Sequence, residues 1–570
     1  MMQGRRYRTE LFRLKELAHE FAEAVPALAP FLGEAGKDPD VERLLDSGAY
    51  QNGMLGSLLR NDFPELVRAL AGLILPHYLR PFPASTIIRF KSNTSREHAV
   101  AIPAGTQLAS TPVDGTSCRF MTSSNLEIHP LEIRERAVEQ ASGGIQLTVE
   151  LQGNSLAAWR PASLRLFLAG DRASAAEMLQ LLSRKLNRIV IVPADGGSCM
   201  VLPAECLKPL GFAQGESLLP YPSHAFPGYR LLQEYFNVPE KFFFFDITGW
   251  EGWEHRGAGR QFTITFDIDG RAAVEHLVGR VAFVPNAVPA VNLYSCTAAP
   301  VYVNHRARRY LVRPCGPNPS HRQVFSVDRV TGYSLQSGQE RTYVAFELFG
   351  SDTASGPVYH AGLEKSRFGD GYEAYLSVGF PEGSGFIAGE TLSIDLTCTT
   401  GTLPESLRIG DISIAEASLP PDVTFSNITP VNPGVPPPLG PGLLQRLVTH
   451  LYLNQVSLSD AGHLQALLRL YLQQGSAPDG PQAANLKRIE GMNDVKIKQA
   501  ESMVAGLPLR GSTIGLKVRQ DHFAGPGDLY LFGCVLDRFF AEYASINSFT
   551  RLTADELLGG ESRRWPLRQE

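Results

Sequence analysis

Between Ile428 and Gly442 the chain reads ITPVNPGVPPPLGPG, six prolines in fifteen residues. Each proline holds φ near −65° and has no amide proton to donate, so this stretch enters neither a helix nor a sheet interior. It reads as a stiff, extended spacer. At roughly 100–200 residues per domain, a chain of 570 residues holds about three to five folding units. The spacer is the clearest boundary among them.

Upstream, residues 1–82 carry a helical pattern. Leu11, Leu14, Ala18, Phe21 and Val25 recur at three- and four-residue steps on one face. Asp38-Pro39 starts a second helix, a good cap followed by a residue suited to the first turn. Leu66, Leu70, Leu73 and Ile74 form a short third one before Pro76. After Pro83 the texture changes to short strands, with 83–135 as a first β segment. In 136–280, a helix at Ala173–Leu186 lies between strand-like Leu164–Leu168 and Ile189–Val192, the order of a β-α-β unit. Phe262, Ile264, Phe266 and Ile268 alternate into Asp269-Gly270, which reads as a hairpin turn. Residues 281–427 are nearly all β. Beyond the spacer, 443–570 shows helices at Leu443–Leu453 and His463–Leu472, a strand at Ser512–Val518, a strong helix from Leu529 to Ala544 and a strand at Ser548–Leu552. The expected fold is α+β and multidomain: a helical N-terminal segment, β-rich central modules with one β-α-β-like insertion, and a C-terminal α+β domain after the proline-rich linker.

Lys+Arg 53 against Asp+Glu 58 leaves a net charge of -5, without the concentrated positive field that nucleic-acid binding requires. The cysteines, Cys118, Cys199, Cys206, Cys296, Cys315, Cys398 and Cys534, stand singly and odd in number, which argues against a disulfide framework or a zinc site. They are expected as reduced, packed, small apolar side chains. The N-terminus is charged throughout, and no apolar run reaches the roughly 20 residues that cross a bilayer. The reading is a cytoplasmic protein that does not insert in a membrane.

Catalytic motifs do not emerge. The chain has no G-x-S-x-G, no G-x-x-x-x-G-K-[ST], and no G-x-G-x-x-G opening a helix after a strand. His19-Glu20 begins like H-E-x-x-H, but the fifth position is Glu23. Asp267-Ile268-Asp269-Gly270 matches the start of a calcium loop without its later acidic ligands. No catalytic residue, cofactor or metal is expected. The alternatives are a β-rich module binding peptide or glycan, and, more remotely, a hydrolase built on two distant carboxylates.

Two segments stand out. Gly211–Gly249 holds a Pro-rich run, a short helix at Leu231–Phe236 and an apolar strand at Phe242–Phe245 that must be buried on both faces. An exposed groove of Tyr221, Tyr229, Tyr235 and Phe236 is what a binding module would need; core packing is the competing reading. Leu529–Phe549 is a helix and strand whose two-sided hydrophobicity demands burial, inside the domain or against a neighbour.

These segments are also where the chain resembles the TssF family of type VI secretion baseplate proteins, also called VasA or ImpG. The blocks run in order from Asp38-Pro39-Asp40-Val41-Glu42-Arg43-Leu44-Leu45 and Pro76-His77-Tyr78-Leu79-Arg80-Pro81, through Ile102-Pro103-Ala104-Gly105-Thr106 and Cys118-Arg119-Phe120. The most specific is Leu219-Pro220-Tyr221-Pro222 with Phe226-Pro227-Gly228-Tyr229-Arg230-Leu231-Leu232-Gln233-Glu234-Tyr235-Phe236. Pro289-Ala290-Val291-Asn292-Leu293, Ser545-Ile546-Asn547-Ser548-Phe549 and Arg564-Trp565-Pro566 follow. Met121 and Tyr294 depart mildly from the family pattern, where a basic residue and Phe are common. The resemblance implies a non-enzymatic part in the baseplate wedge of a contractile injection machine. Two copies would combine with one TssG, with TssK and TssE reached through the wedge, spike and sheath met indirectly, and the assembly docked at the cytoplasmic side of the inner membrane. For such a subunit, Leu11, Leu14 and Phe21 are the candidate residues for a bundle with the partner. Leu531, Val535 and Phe539 are candidates for self-association, with an intradomain core as the equal alternative.

Overall fold

A computed structural model shows how these segments fold. It describes 71–569 except for 73, 93–98, 140–142, 154, 223–224, 305, 335–337, 347–355, 367–370, 381–388, 417–418, 440–442, 456–457, 473–479, 505 and 545–547. Before that it describes 11, 14, 15, 17, 46, 47 and 70. The chain divides into two compact units, Met1–Leu70 and Ala71–Glu570. In the first, the described residues are helical.

The second unit is mixed α+β and rich in strands. Its first sheet is antiparallel, with Ser85–Ser92 between Ala287–Val291 and Val423–Asn427 and with Thr116–Thr122, Gln107–Val113 and Ile412–Ala415 beyond. Ile88 and Phe90, two apart on one strand, point the same way and meet Leu108, Phe120, Val288 and Phe425 in one core. One sheet thus joins the first β segment to the ends of 281–427.

Residues 131–285 leave this sheet and build two more. A five-stranded sheet runs Met200–Pro203, Leu186–Pro193, Gln261–Ile268, Ile145–Leu151, Leu131–Val138; a four-stranded one runs Leu207–Pro209, Phe244–Ile247, Leu164–Ala169, Ala282–Pro285. The helix Arg172–Arg184 starts where Asp171 accepts from the Ser174 amide. Strand, helix and strand follow in the expected order, but Leu164–Ala169 and Leu186–Pro193 enter different sheets. The helix is therefore a bridge between two antiparallel layers and not a crossover within a parallel one. Asp269-Gly270 is likewise corrected. Gly270, at φ 118°, turns the chain into a helix, Arg271–Val278, instead of closing a hairpin. Phe242, Phe243, Phe244 and Phe245 are all buried as expected. The extended strand begins only at Phe244, because Pro239 opens a 3-10 turn through Phe242.

Residues 294–399 form an eight-stranded sheet around the long pair Gln323–Ser334 and Glu390–Thr399. Past the proline-rich stretch, the helices Leu443–Gln455, Ala461–Leu470 and Pro481–Glu490 precede a sheet led by Met492–Val504 and Leu507–Val518. Phe549–Glu556 lies parallel to Leu507–Val518, joined to it through the helix Pro526–Ala541, the kind of crossover that parallel strands need. The spacer itself is held. Phe82 and Val435 exchange backbone hydrogen bonds, as do Ser85 and Asn432, so the non-proline residues supply the amide donors the prolines lack.

Pro526–Ala541 packs against Arg172–Arg184 at one glycine. A Cβ on Gly527 would lie 2.3 Å from the backbone of Glu177. Gly527→Ala is expected to push the helices apart and destabilise the second unit by about 1–3 kcal/mol. Gly215→Ala, where a Cβ meets nothing within 4 Å, serves as the control in the same thermal unfolding comparison.

Candidate functional site

The residues from Gly211 to Gly249 sit where the second unit's segments converge. Phe226 and Pro227 open the helix Pro227–Asn237; the carbonyl of Phe226 accepts from the Tyr221 hydroxyl at 2.7 Å. Gly228 is the contact point with the core helix Pro526–Ala541. A Cβ there would stand 2.5 Å from the Phe226 ring and 3.0 Å from Phe539. Arg230, Glu234 and Lys241 then meet beneath the surface. Glu234 accepts from Arg230 at 3.2 Å, from the Leu218 amide at 2.7 Å, and from Lys241. Burial pushes Lys241 down to about 8 against the opposing pull of Glu234.

Beside this cluster lies a stack of rings drawn from distant parts of the chain. His77 stacks on Tyr229, with centroids 5.6 Å apart, and on Tyr471 at 6.2 Å. His450 meets Tyr78, Tyr229 and Tyr471 edge-on. The Tyr471 hydroxyl is 3.1 Å from His77 Nε2, and the Tyr78 hydroxyl donates to the Leu470 carbonyl. Burial is the main force on both imidazoles, lowering His77 to about 3 and His450 to about 4, with their mutual repulsion adding to it at His77. Both are neutral at pH 7. On the other side, Asp528 is fully buried between Arg488 at 2.7 Å and Arg172 at 3.5 Å, and Asn485 donates to the Phe236 carbonyl. A shallow groove opens over the junction, lined by His77, Arg80, Leu219, Tyr221 and Phe325 among others. Chemically the arrangement is a clasp. Neutral rings and compensated charges tie residues 77–81, 211–242 and 443–543 together.

Tyr229, Tyr235 and Phe236 are all buried, so they build this core and no open aromatic groove. Leu531, Val535 and Phe539 each have 0 % exposure within the chain, and their contact area is used against its own neighbours. Leu11 and Leu14 are half-buried and helical in the first unit; Phe21 lies outside the described residues. Leu17, also helical, is 51 % exposed.

One surface feature was expected only in part, as the strand Ser512–Val518. Met492–Val504 and Leu507–Val518 pair along their whole length, but Phe549–Glu556 covers the second strand only from Gly511 onward. The outer end of the hairpin therefore projects beyond the sheet, with Met503 at 68 % exposure. In its first strand the signal, Val495 and Ile497 alternating with Lys496 and Lys498, is short. Among the described residues, no group of three or more His, Cys, Asp or Glu is placed to hold a metal ion. None of the described helices is long and apolar enough to cross a membrane.

The comparisons agree along the whole chain. The family model "Type VI secretion system, TssF" matches residues 3–570. The type VI secretion system component TssF1 of Pseudomonas aeruginosa is 27 % identical, over 98 % of this chain and 97 % of that protein. A chain in the cryo-electron microscopy structure of the type VI secretion TssK-TssF-TssG baseplate subcomplex superposes with a TM-score of 0.76 at 26 % identity, covering 92 % of this chain and 98 % of that one. A chain of the type VI baseplate complex shares the fold, with a TM-score of 0.60 at 23 % identity over 100 % and 99 % of the two chains. With sequence blocks, fold and full-length match in accord, the chain belongs to the TssF family of type VI secretion proteins.

Proposed function

We propose that this chain is a non-enzymatic structural subunit of the type VI baseplate wedge. The observation that carries this reading is the full-length likeness to a chain of a TssK-TssF-TssG subcomplex. In this proposal two copies combine with one TssG, the wedge engages TssK and TssE, and spike and sheath are met through them. The assembly sits at the cytoplasmic side of the inner membrane. Its work is mechanical. Obligate interfaces of this kind bury roughly 2,000 Å² or more and resemble a cut core, so they hold one quaternary arrangement until firing releases it. The internal clasp around Glu234 and His77 suits that role, because a rigid second unit transmits force without yielding.

In the same proposal, Leu11, Leu14 and Phe21 are the residues that meet TssG in a bundle. The double variant Leu14→Asp, Phe21→Asp is expected to lose co-purification with the TssG-like partner by at least about tenfold, since two buried charges outweigh the packing they replace. Normal recovery of the partner would move the contact elsewhere. Leu531, Val535 and Phe539 would reach a second copy only if the core helix left its own domain. Cross-linking in the native cytoplasm, followed by mass spectrometry, tests the whole reading. TssG-, TssK- and TssE-like proteins are the expected companions, and a well-folded monomer without them would sink it.

A further inference from the structure

The eight-stranded sheet is attached to the rest of the second unit by two adjacent connections. The chain enters from Ala287–Val291 through Asn292 and Leu293 into Tyr294–Thr297, and leaves from Glu390–Thr399 through Thr400 and Gly401. Asn292 ties the two together. Its side chain donates to the Arg119 carbonyl at 2.7 Å and accepts from the Thr400 amide and hydroxyl at 2.8 and 2.9 Å. Cys296 and Cys398 lie just inside this neck, on paired antiparallel strands. Tyr294 is directly across from Cys398, so Cys296, two residues along, meets it diagonally on the same face. The two sulfurs are 2.6 Å apart and share a hydrogen bond, so they are placed within reach of one another.

We propose that Cys296 and Cys398 form a reversible dithiol–disulfide site, oxidised by small disulfides of the glutathione class, whose closed form locks the neck. The surroundings set the order of events. Cys296 is half-buried and Cys398 fully buried, so reagent reaches Cys296 first. The Cys398 thiol, donating to the Cys296 sulfur, holds Cys296 below the usual thiol range, with Arg322 and Arg119 adding to the effect. Both guanidiniums lie over the Tyr294 ring. The Cys296 thiolate attacks one sulfur of the reagent, its S–S bond breaks, and one thiolate departs to take up a proton. Cys398 then loses its proton and attacks the Cys296 sulfur, releasing the second half of the reagent as a thiol. The two cysteines give up two electrons and two protons, and the reagent is reduced to two thiols.

The test uses the full chain treated with glutathione disulfide, alkylated and digested without reduction. The expected product is a peptide linking Cys296 to Cys398, lost on adding reductant. Cys398→Ser should leave a stable glutathione adduct on Cys296. Limited proteolysis at the neck should slow by at least about tenfold in the oxidised chain, the effect of closing a long loop. Alkylation of Cys296 and Cys398 without linkage, while exposed Cys199 and Cys315 carry adducts, would overturn the site. Linkage without slower cleavage would overturn the lock.

Discussion

Glu234→Ala is expected to destabilise the second unit by about 3–5 kcal/mol, the cost of removing one partner from a buried ionic cluster. The carboxylate is 1 % exposed and is the acceptor for Arg230, Lys241 and the Leu218 amide. Truncation leaves two buried cations and an amide without their shared acceptor. Lys241 softens the loss only partly, because its pKa is already held at about 8 and it sheds its proton readily once Glu234 is gone. Arg230 has no such escape. It keeps its bond to the Phe212 carbonyl but not its counter-charge. The first unfolding transition in calorimetry should drop by several degrees in Glu234→Ala. The double variant Glu234→Ala, Lys241→Met should recover part of the loss, since an apolar side chain needs no partner there. A transition unmoved by Glu234→Ala would mean that the cluster does not hold the unit together.

Acidification is the second large effect. Unfolding returns His77 and His450 to the ordinary value of 6.5, whereas the fold holds them at about 3 and about 4. The unfolded chain therefore takes up protons first as pH falls. The contribution of the two neutral imidazoles is intact above about pH 6.5. Below it, each loses about 1.4 kcal/mol per pH unit until the folded-state value is reached. At pH 5 the pair should cost about 4 kcal/mol of stability. His129 and His360, also lowered by burial, push in the same direction. The groups facing the pair are Tyr78, Tyr221, Tyr229 and Tyr471, all neutral in this range, and Arg80, whose charge opposes protonation of His77. Among the described residues, neither ring nitrogen of His450 has a hydrogen-bond partner, so His450→Phe removes the titration with little other loss. Melting curves between pH 7.5 and 5 should show a shallower fall in that variant, and parallel falls would remove His450 from the account.

How much of this was legible beforehand depended on the range of each interaction. The helices Pro227–Asn237 and Pro526–Ala541 were legible as Leu231–Phe236 and Leu529–Ala544, because apolar patterning is a local property. Burial of Phe242 through Phe245 followed from an unbroken apolar run. Asp269-Gly270 was misread because a glycine at positive φ serves a hairpin and a strand-to-helix turn equally. Ser512–Val518 was legible as a strand because Ile514, Leu516 and Val518 alternate toward the core, whereas its partner Met492–Val504 and the outer end of the hairpin escaped because few apolar residues mark them. No spacing rule could have joined His77 to Tyr471, or Cys296 to Cys398.

The sequence alone determined the family, the β-rich character of the centre, the positions of the strongest helices and the demand that two aromatic segments be buried. Tertiary structure decided what buried them: the chain's own rings and charges, with Leu531, Val535 and Phe539 enclosed and Glu234 compensated. The reason is physical. Periodicity and backbone restriction act within a few residues, whereas desolvation, ion pairing and ring stacking depend on which distant segments the sheets bring together.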